Sequence, residues 1–345
     1  MSLTTGVVIP AYNAERFIRD ALEGVARQSH PPDWAVVVDD GSEDRTADTV
    51  MEWAASSKLR FVLHRQENRG LPAARNAGIV RLPEADLIAL LDADDIWEPW
   101  HLERCVRALE RHEDLVLCFA DHQPFDCHGP AGGTFLEDKV IHGLPSELRD
   151  DGVTALSGPV FESLLLGNYI PPSTSVFRRK VAAGIQFFDP EMRSCEDRDF
   201  FLRLSRVGRF AFFDQVHAHY RLHDQNMSHP RNRLHMQTWG HRALRKIRRL
   251  EQELQLEREE AVAVSDAERR QARSLLSTAS RTGLGEYLSA SAEVASSGRL
   301  KPILNPKNLA RAIRSSTPWY RPGPQDRTRL HPEQDGAGRR ASIRR

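Results

Sequence analysis

Short apolar runs alternate with amphipathic stretches along the first hundred residues of the chain. Each run is almost uninterrupted by polar residues, which is typical of a strand buried on both faces of a sheet. The stretches between the runs repeat apolar residues every three or four positions, which predicts helices. Strands and helices that alternate over short connectors form βαβ units, so the pattern predicts a parallel α/β sheet. The predicted strands are residues 6–10, 35–38, 60–64 and 87–91, and the predicted helices are residues 14–28, 46–55 and 71–80.

The pattern is less regular over the next stretch of chain. Residues 121–152 mix Pro, Gly and Asp without periodicity, and they predict a loop or hairpin. A polar and aromatic segment, residues 168–175, predicts an extended loop. The remaining predicted helices are residues 99–113, 159–167 and a helix that follows residues 195–199, and the remaining predicted strands are residues 115–120, 210–213 and 218–222. Residues 176–177 begin either a further strand or a helix.

Beyond about residue 231 the chain becomes rich in Glu, Arg and Gln. Residues 231–281 carry a sparse apolar stripe and predict one or two long helices that pack on the preceding body or on a second subunit. Their many glutamates argue against binding to an anionic membrane surface. Residues 321–345 are rich in Pro, Gly and Arg, which predicts a disordered basic tail. We therefore expect three parts, residues 1–230, 231–320 and 321–345.

The amino-acid composition limits the classes of protein to which the chain can belong. Of the 345 residues, 40% are hydrophobic, which suffices for a sizeable core, and the formal net charge of +0 gives no drive toward nucleic acid. A core strand begins almost at once and no apolar run approaches the roughly 20 residues of a membrane span, so we expect neither signal peptide nor transmembrane helix. The cysteines lack paired metal-site spacing, which favours reduced thiols in a cytoplasmic protein. They are Cys105, Cys118, Cys127 and Cys195.

Acidic residues follow the fourth predicted strand directly. Asp92, Asp94 and Asp95 stand at its carboxyl end, where open α/β sheets bind ligands. Two aspartates one residue apart repel unless a cation lies between them, and oxygen ligands suit Mg²⁺ or Mn²⁺. Such an ion keeps open positions for substrate phosphates. The pattern therefore predicts a metal-bound diphosphate, and the alternative is that Asp95 caps the following helix.

Two further polar groups occur late in the chain. Glu196, Asp197 and Asp199 precede a predicted helix, where they serve chemistry or simply interact with the helix dipole. Four histidines follow, and a zinc site among them is an alternative, although no cysteine or acidic ligand set accompanies them. These histidines are His217, His219, His223 and His229.

Six segments, in order, resemble the inverting nucleotide-sugar glycosyltransferases of family 2, which have the GT-A fold. The resemblance covers roughly residues 3–228 and leaves the C-terminal third outside. The segments are VVIPAYN at 7–13, VVVDDGS at 36–42, NRGLPAARNAG at 68–78, LLDADD at 90–95, CED at 195–197 and YRLHDQNMS at 220–228.

The resemblance implies a role for each matching residue. Asp197 is the expected general base, and Asp94, Asp92 and His223 are the expected ligands of Mn²⁺ or Mg²⁺. Glu196, Ser173 and Thr174 are expected on the acceptor side. The expected nucleotide-binding residues are Pro10, Ala11, Tyr12, Asp39, Asp40, Arg75 and Asp92.

The resemblance also implies an activity. We expect a metal-dependent inverting transfer from a nucleotide-diphosphate sugar, typically a UDP-sugar, to a hydroxyl of a saccharide or lipid-linked acceptor. Polysaccharide, lipopolysaccharide or glycolipid assembly is the common setting of the family, and a lipid-linked acceptor would bring the protein to the inner face of a membrane. A homodimer through the C-terminal helices fits the same picture. The alternative is a non-catalytic glycosyltransferase-like subunit that binds sugar nucleotides or partners.

Overall fold

The fold was analysed in a computed structural model, which describes residues 2–298, 303 and 305–316. Strands and helices alternate over the first ninety residues as the hydrophobic pattern predicts, with bounds shifted by a few residues. These elements are β1 (Thr5–Ala11), α1 (Ile18–Ala26), β2 (Trp34–Asp39), α2 (Thr46–Ala54), β3 (Phe61–Arg65), α3 (Leu71–Arg81) and β4 (Leu87–Leu90).

Shorter and less regular elements complete the sheet and its flanking helices. They are β5 (Ile96–Trp97), α4 (His101–Arg111), β6 (Leu115–Asp126), β7 (Gly129–Pro130), β8 (Ser146–Leu148), β9 (Thr154–Leu156), α5 (Val160–Leu164), β10 (Val176–Arg178), α6 (Arg179–Gly184), α7 (Glu196–Leu204) and β11 (Arg209–Arg221).

The strands form a single mixed sheet in the order β3-β2-β1-β4-β10-β6-β11-β9-β8. The first four strands of this order are parallel, and β10 runs antiparallel to its neighbours β4 and β6. β6 and β11 are again parallel, while β5 pairs with β11 and β7 with β6. The sheet is therefore mostly parallel around its centre, and helices flank it.

Successive side chains along the central strands point to opposite faces of the sheet, so the apolar core forms two layers, one on each face. On one face, Val8 lies beside Val36 and Leu90 in register, and all three belong to one apolar cluster. On the other face, Val7 lies beside Ala89 in a second cluster. Because both faces of these strands are covered, their sequences read as continuous apolar runs.

The structure differs from the sequence prediction around β6 and β11. The predicted strand 115–120 continues to Asp126, inside the region predicted as a loop or hairpin. The two predicted strands 210–213 and 218–222 form the single strand β11, with register shifts between Phe213 and Ala218. Both extensions are polar segments whose backbone groups are satisfied by pairing with each other. Because the paired segments are far apart in the chain, no local sequence pattern predicts that these residues are extended.

The C-terminal region is helical, as predicted, over α8 (Arg233–Arg249), α9 (Arg258–Thr282), α10 (Leu284–Ala295) and α11 (Pro306–Ser315). Residues 2–227 and 239–268 form one compact unit, in which Leu244, Ile247 and Val264 join the apolar core that covers one face of the sheet. Residues 228–238 and the described residues between 269 and 316 form a second unit with its own small apolar cluster. The predicted tail at 321–345 lies outside the described residues.

A search of the described helices found none that combines the length and the hydropathy needed to cross a bilayer.

Candidate active site

The carboxyl ends of β1, β2 and β4 lie together at one edge of the sheet. The backbone N–H of Asp40 donates to the carbonyl of Ala11 (2.8 Å), and that of Leu91 donates to Val8 (3.1 Å). Pro10 and Ala11 are buried here, while Tyr12 is half exposed at the rim. This edge therefore presents one aromatic side chain above a buried floor.

Two buried aspartates lie at the carboxyl end of β2: Asp39 is its last residue and Asp40 follows it. Asp39 accepts from Arg65 Nε and from the backbone N–H of Ser42, both at 2.9 Å. Asp40 accepts from the Gln66 side chain (2.7 Å) and from the backbone N–H groups of Arg69 (2.9 Å) and Gly70 (2.8 Å). Gly70 has φ +86°, a conformation that favours glycine, and it opens α3. A carboxylate offers about four acceptor positions, so Asp40 keeps roughly one for another donor.

Asp94 projects from the end of β4 toward a histidine from the far end of the chain. His223 Nε2 lies 2.9 Å from Asp94 Oδ2, and the Asn226 side-chain amide lies 3.4 Å from the same oxygen. About a quarter of the Asp94 side chain and a sixth of the His223 side chain are exposed. The pair therefore offers one carboxylate and one imidazole that solvent can reach.

Asp95 has a different role from its neighbour. It is buried, and its Oδ2 accepts from Ser173 Oγ (2.5 Å) while its Oδ1 accepts from the backbone N–H of Arg221 (3.1 Å). The next helix begins only at His101, with Trp100 preceding it. Asp95 therefore does not cap that helix; it joins the strand-end loop to β11 and to the loop before β10.

Arg75 connects the two acidic segments of the chain. Its guanidinium is buried and donates through Nη2 to Asp92 Oδ1 (2.8 Å) and through Nη1 to Glu196 Oε1 (2.7 Å). Burial raises the pKa of Glu196 to about 7, although the charge of Arg75 opposes that shift. The positively charged Arg75 guanidinium thus links the acidic end of β4 to the start of α7.

Asp197 follows Glu196 and is half-buried in the first turn of α7. Its Oδ1 accepts from the backbone N–H of Arg198 (2.7 Å), and its Oδ2 accepts from Asn168 Nδ2 (2.7 Å). Burial raises the pKa of Asp197 above its ordinary value, with the nearby charge of Asp92 acting in the same direction. Asp197, Asp92 and Arg75 therefore lie within electrostatic reach of one another.

Three residues expected on the acceptor side are buried and paired with other residues of the protein. Ser173 is buried, donating to Asp95 and accepting from the backbone N–H of Asp92 (3.2 Å). Thr174 is buried and bonds both backbone groups of Ala120. Glu196 is buried on Arg75. These three side chains position neighbouring parts of the site, and contact of any of them with an acceptor stays a prediction.

The structure adds two residues that the sequence prediction did not single out, Asn168 and Asn226. No local signal marks Asn168, since its partner lies far along the chain. Asn226 lies within one of the resemblance segments. The predicted histidine group is divided among separate partners, with His219 on Glu98 (2.7 Å) and His217 buried against His101.

Replacing Arg75 with methionine is expected to lower the free energy of unfolding by about 3–5 kcal/mol, because Glu196 would be left buried and uncompensated. Chemical denaturation measures this, and adding Glu196→Gln should recover part of the loss. Arg45→Met, at an exposed ion pair with Glu52, is the control and should change stability by less than about 1 kcal/mol. A loss at Arg75 no larger than at Arg45 would contradict the bridging role.

Comparison with known proteins identifies the same region of the chain. Residues 6–130 match the family model described as Glycosyl transferase family 2. The chain is similar to the putative teichuronic acid biosynthesis glycosyltransferase TuaG of Bacillus subtilis (strain 168), with 29% identity over 234 residues, which is 68% of this chain and 84% of that protein.

Solved structures agree on the fold. TarS 1–349 of S. aureus in complex with UDP-GlcNAc is similar with a TM-score of 0.59 and 17% identity, over 87% of this chain and 83% of that one. The mannosyltransferase PcManGT of Pyrobaculum calidifontis, in complex with GDP-Man and Mn²⁺, is similar with a TM-score of 0.52 and 16% identity, over 90% and 86%. The resemblance drawn from six sequence segments is therefore confirmed: residues 6–130 match glycosyl transferase family 2, and the chain has the GT-A fold of a glycosyltransferase.

Proposed function

We propose that the protein transfers a sugar, with inversion at the anomeric carbon, from a nucleotide-diphosphate sugar to a hydroxyl of a saccharide or lipid-linked acceptor. The donor is a UDP-sugar. TarS, which shares the fold, is solved with UDP-GlcNAc, and this supports a uridine donor. The donor would lie at the sheet edge formed by β1, β2 and β4, with its base toward Tyr12 and Asp40 and its diphosphate toward the acids after β4.

The ligands proposed for a divalent cation are Asp94, His223 and Asp92, and the cation is Mn²⁺ or Mg²⁺. These residues fit such an ion: Asp94 Oδ2 and His223 Nε2 lie 2.9 Å apart and are partly open to solvent, and the ion would replace the proton that the imidazole shares with the carboxylate. Asp92 commits one oxygen to Arg75 and keeps the other. When bound, the ion supplies positive charge beside the departing diphosphate. The PcManGT complex with Mn²⁺ supports the assignment.

Asp197 is the proposed general base. It accepts the proton of the acceptor hydroxyl while that oxygen forms a bond to the anomeric carbon. The bond between this carbon and the diphosphate oxygen breaks on the opposite side, and the nucleoside diphosphate leaves with the electron pair. A covalent intermediate is unnecessary, and burial raises the pKa of the neighbouring Cys195 thiol to about 12, so it stays protonated.

The observation that carries this proposal is the placement of Asp197. A half-buried carboxylate with a raised pKa stands at the N-terminus of α7, next to the Arg75 bridge that leads to the strand-end aspartates. A base and a site for the leaving diphosphate must flank one monosaccharide, and the two acidic segments supply one each.

The test is a panel of sugar nucleotides with Mn²⁺, in which release of nucleoside diphosphate is measured with and without candidate acceptors. The anomeric configuration of the product is then read by NMR. Slow, metal-dependent hydrolysis of one donor and an inverted product would support the enzyme. Donor binding without any turnover, across the whole panel and acceptor set, would favour the non-catalytic subunit.

Asn168 is expected to lower the pKa of the proposed general base, Asp197. Its amide hydrogen bond to Asp197 favours the ionised carboxylate, so Asn168→Ala should raise the pKa of Asp197 and move the acid limb of kcat/KM to higher pH, by about one unit. The pH–rate profile measures this. Asn76→Ala is the matched control, because that amide only holds the backbone of Phe188 (2.7 Å). If the acid limb of the kcat/KM profile shifts equally in both variants, or in neither, Asn168 does not set the pKa of Asp197.

A further inference from the structure

Two imidazoles and a thiol meet in the core, away from the acids of the proposed active site. His101 begins α4, Cys105 lies one turn later on the same helix, and His217 lies on β11. All three side chains are fully buried. His101 Nδ1 lies 3.3 Å from His217 Nδ1 and 3.8 Å from Cys105 Sγ, and the three potential ligand atoms lie within 4.8 Å of one another. Nothing in the proposed transfer reaction uses this cluster.

Hydrogen bonding within the protein does not account for burying these groups. The Nε2 atoms of both His101 and His217 are buried without a hydrogen-bond partner among the described residues. The facing Nδ1 atoms can share only one proton between two neutral rings. Each neutral imidazole carries one protonated and one unprotonated ring nitrogen, so each ring has one lone pair for another ligand. A cation between the rings would engage the lone pairs of both facing Nδ1 atoms, and each Nε2 atom would then carry the ring proton.

We propose that His101, Cys105 and His217 bind a structural Zn²⁺ ion. Zinc bond lengths of about 2.0–2.1 Å to nitrogen and about 2.3 Å to sulfur place two tetrahedral nitrogens about 3.3 Å apart, and a nitrogen and a sulfur about 3.6 Å apart. The observed separations of 3.3 and 3.8 Å agree with both edges. The Cys118 thiol, which interacts with that of Cys105, is a candidate for the fourth ligand.

The donor set separates this ion from the one proposed at Asp94. Imidazole nitrogens with a thiolate select a borderline-soft ion such as zinc, whereas carboxylate oxygens select Mg²⁺ or Mn²⁺. The cluster is also closed to solvent, as structural zinc sites are, so the ion would join elements and would not activate water.

The ion would stabilise the acidic strand end through two intermediate residues, Trp97 and Ser173. The Trp97 ring packs on the His101 ring, with centroids 4.7 Å apart, and Trp97 Nε1 donates to the carbonyl of Ser173. Ser173 in turn contacts Asp95 and the backbone of Asp92. Binding zinc would therefore tie α4 and β11 together beneath the loop that carries the proposed metal ligands.

The test uses the full chain without an affinity tag, purified from zinc-replete medium. Elemental analysis should find about one zinc per chain after dialysis, and strong chelation should remove it and lower the Tm. Reloading with Co²⁺ should produce visible d–d bands and thiolate-to-cobalt charge-transfer absorption, as expected for a tetrahedral site with a cysteine ligand. Wild-type protein that purifies with less than about a tenth of an equivalent, and takes up no Co²⁺ with a thiolate band, would overturn the proposal.

Variants distinguish this site from other metal sites. Cys105→Ser should abolish the charge-transfer band and lower bound zinc at least tenfold, with folding checked by circular dichroism. Cys127→Ser, at an exposed thiol, and Asp94→Ala, at the proposed catalytic ion, should both retain one zinc. Zinc that disappears with Asp94→Ala and persists in Cys105→Ser would assign it to the proposed catalytic site and overturn the inference. Because the readout is metal content, failure here leaves the proposed transfer reaction intact.

Discussion

Asp197→Asn is expected to lower kcat for sugar transfer by about 10²–10⁴-fold, the range that a positioned general base contributes. Asparagine has nearly the same shape as aspartate, and its side-chain oxygen can still accept from the backbone N–H of Arg198. It cannot take the proton of the acceptor hydroxyl. The change removes the base and leaves the strand-end acids and the donor edge of the sheet untouched, so the Kd for the sugar nucleotide should change little.

The measurement is steady-state transfer together with calorimetric binding of the donor in the presence of Mn²⁺. Asp150→Asn, at a side chain that is 94% exposed, is the matched control and should leave both quantities unchanged. If Asp197→Asn weakened donor binding as much as it slowed transfer, Asp197 would be a structural residue and the proposed mechanism would lose its base.

Asp94→Ala is expected to remove the metal dependence of nucleotide binding. The variant loses one direct ligand and the contact that orients His223, so the loss of Mn²⁺-dependent affinity should exceed the roughly 10–100-fold that removal of an outer-shell partner costs at metal sites. Transfer should fall with it, because the departing diphosphate would lack the charge that the ion supplies.

Calorimetric titration of nucleoside diphosphate, with and without Mn²⁺, measures the effect. Asp48→Asn, at a surface ion pair on α2, is the control. His223→Gln should give a smaller loss than Asp94→Ala, since the carboxylate would remain. Unchanged Mn²⁺-dependent affinity in Asp94→Ala would eliminate Asp94 as a ligand.

Much of the fold could be predicted because its first half is built from local patterns. The runs around Val7, Val37 and Ile88 are apolar on both faces, and that pattern alone indicates buried parallel strands. The position of the acids after β4 follows from the same reasoning, since strand ends of a parallel sheet share an edge. Boundaries were less accurate, as at α1, where the predicted start at residue 14 precedes the observed start at Ile18.

The pairing of β6 with β11 could not be predicted in the same way. The polar residues of Asp121–Asp126 have no strand signal of their own, and they are extended because a distant segment supplies hydrogen-bond partners. Similar reasoning applies to Ser173 and Thr174. Their side chains looked available for an acceptor, and only the packed structure reveals that Asp95 and Ala120 already engage them.

By itself the sequence determined which residues are candidates for the chemistry, namely the aspartates after β4 and Asp197, and it supplied the six segments that resemble the family. These are properties of residue type, order and local periodicity, which a chain carries in any conformation. Only the tertiary structure decided how they meet. Arg75 pairs with both acidic segments, Asn168 with Asp197 and His101 with His217, across separations of 17 to 121 positions along the chain. Such pairings depend on burial and distance, which exist only once the sheet has brought remote segments together.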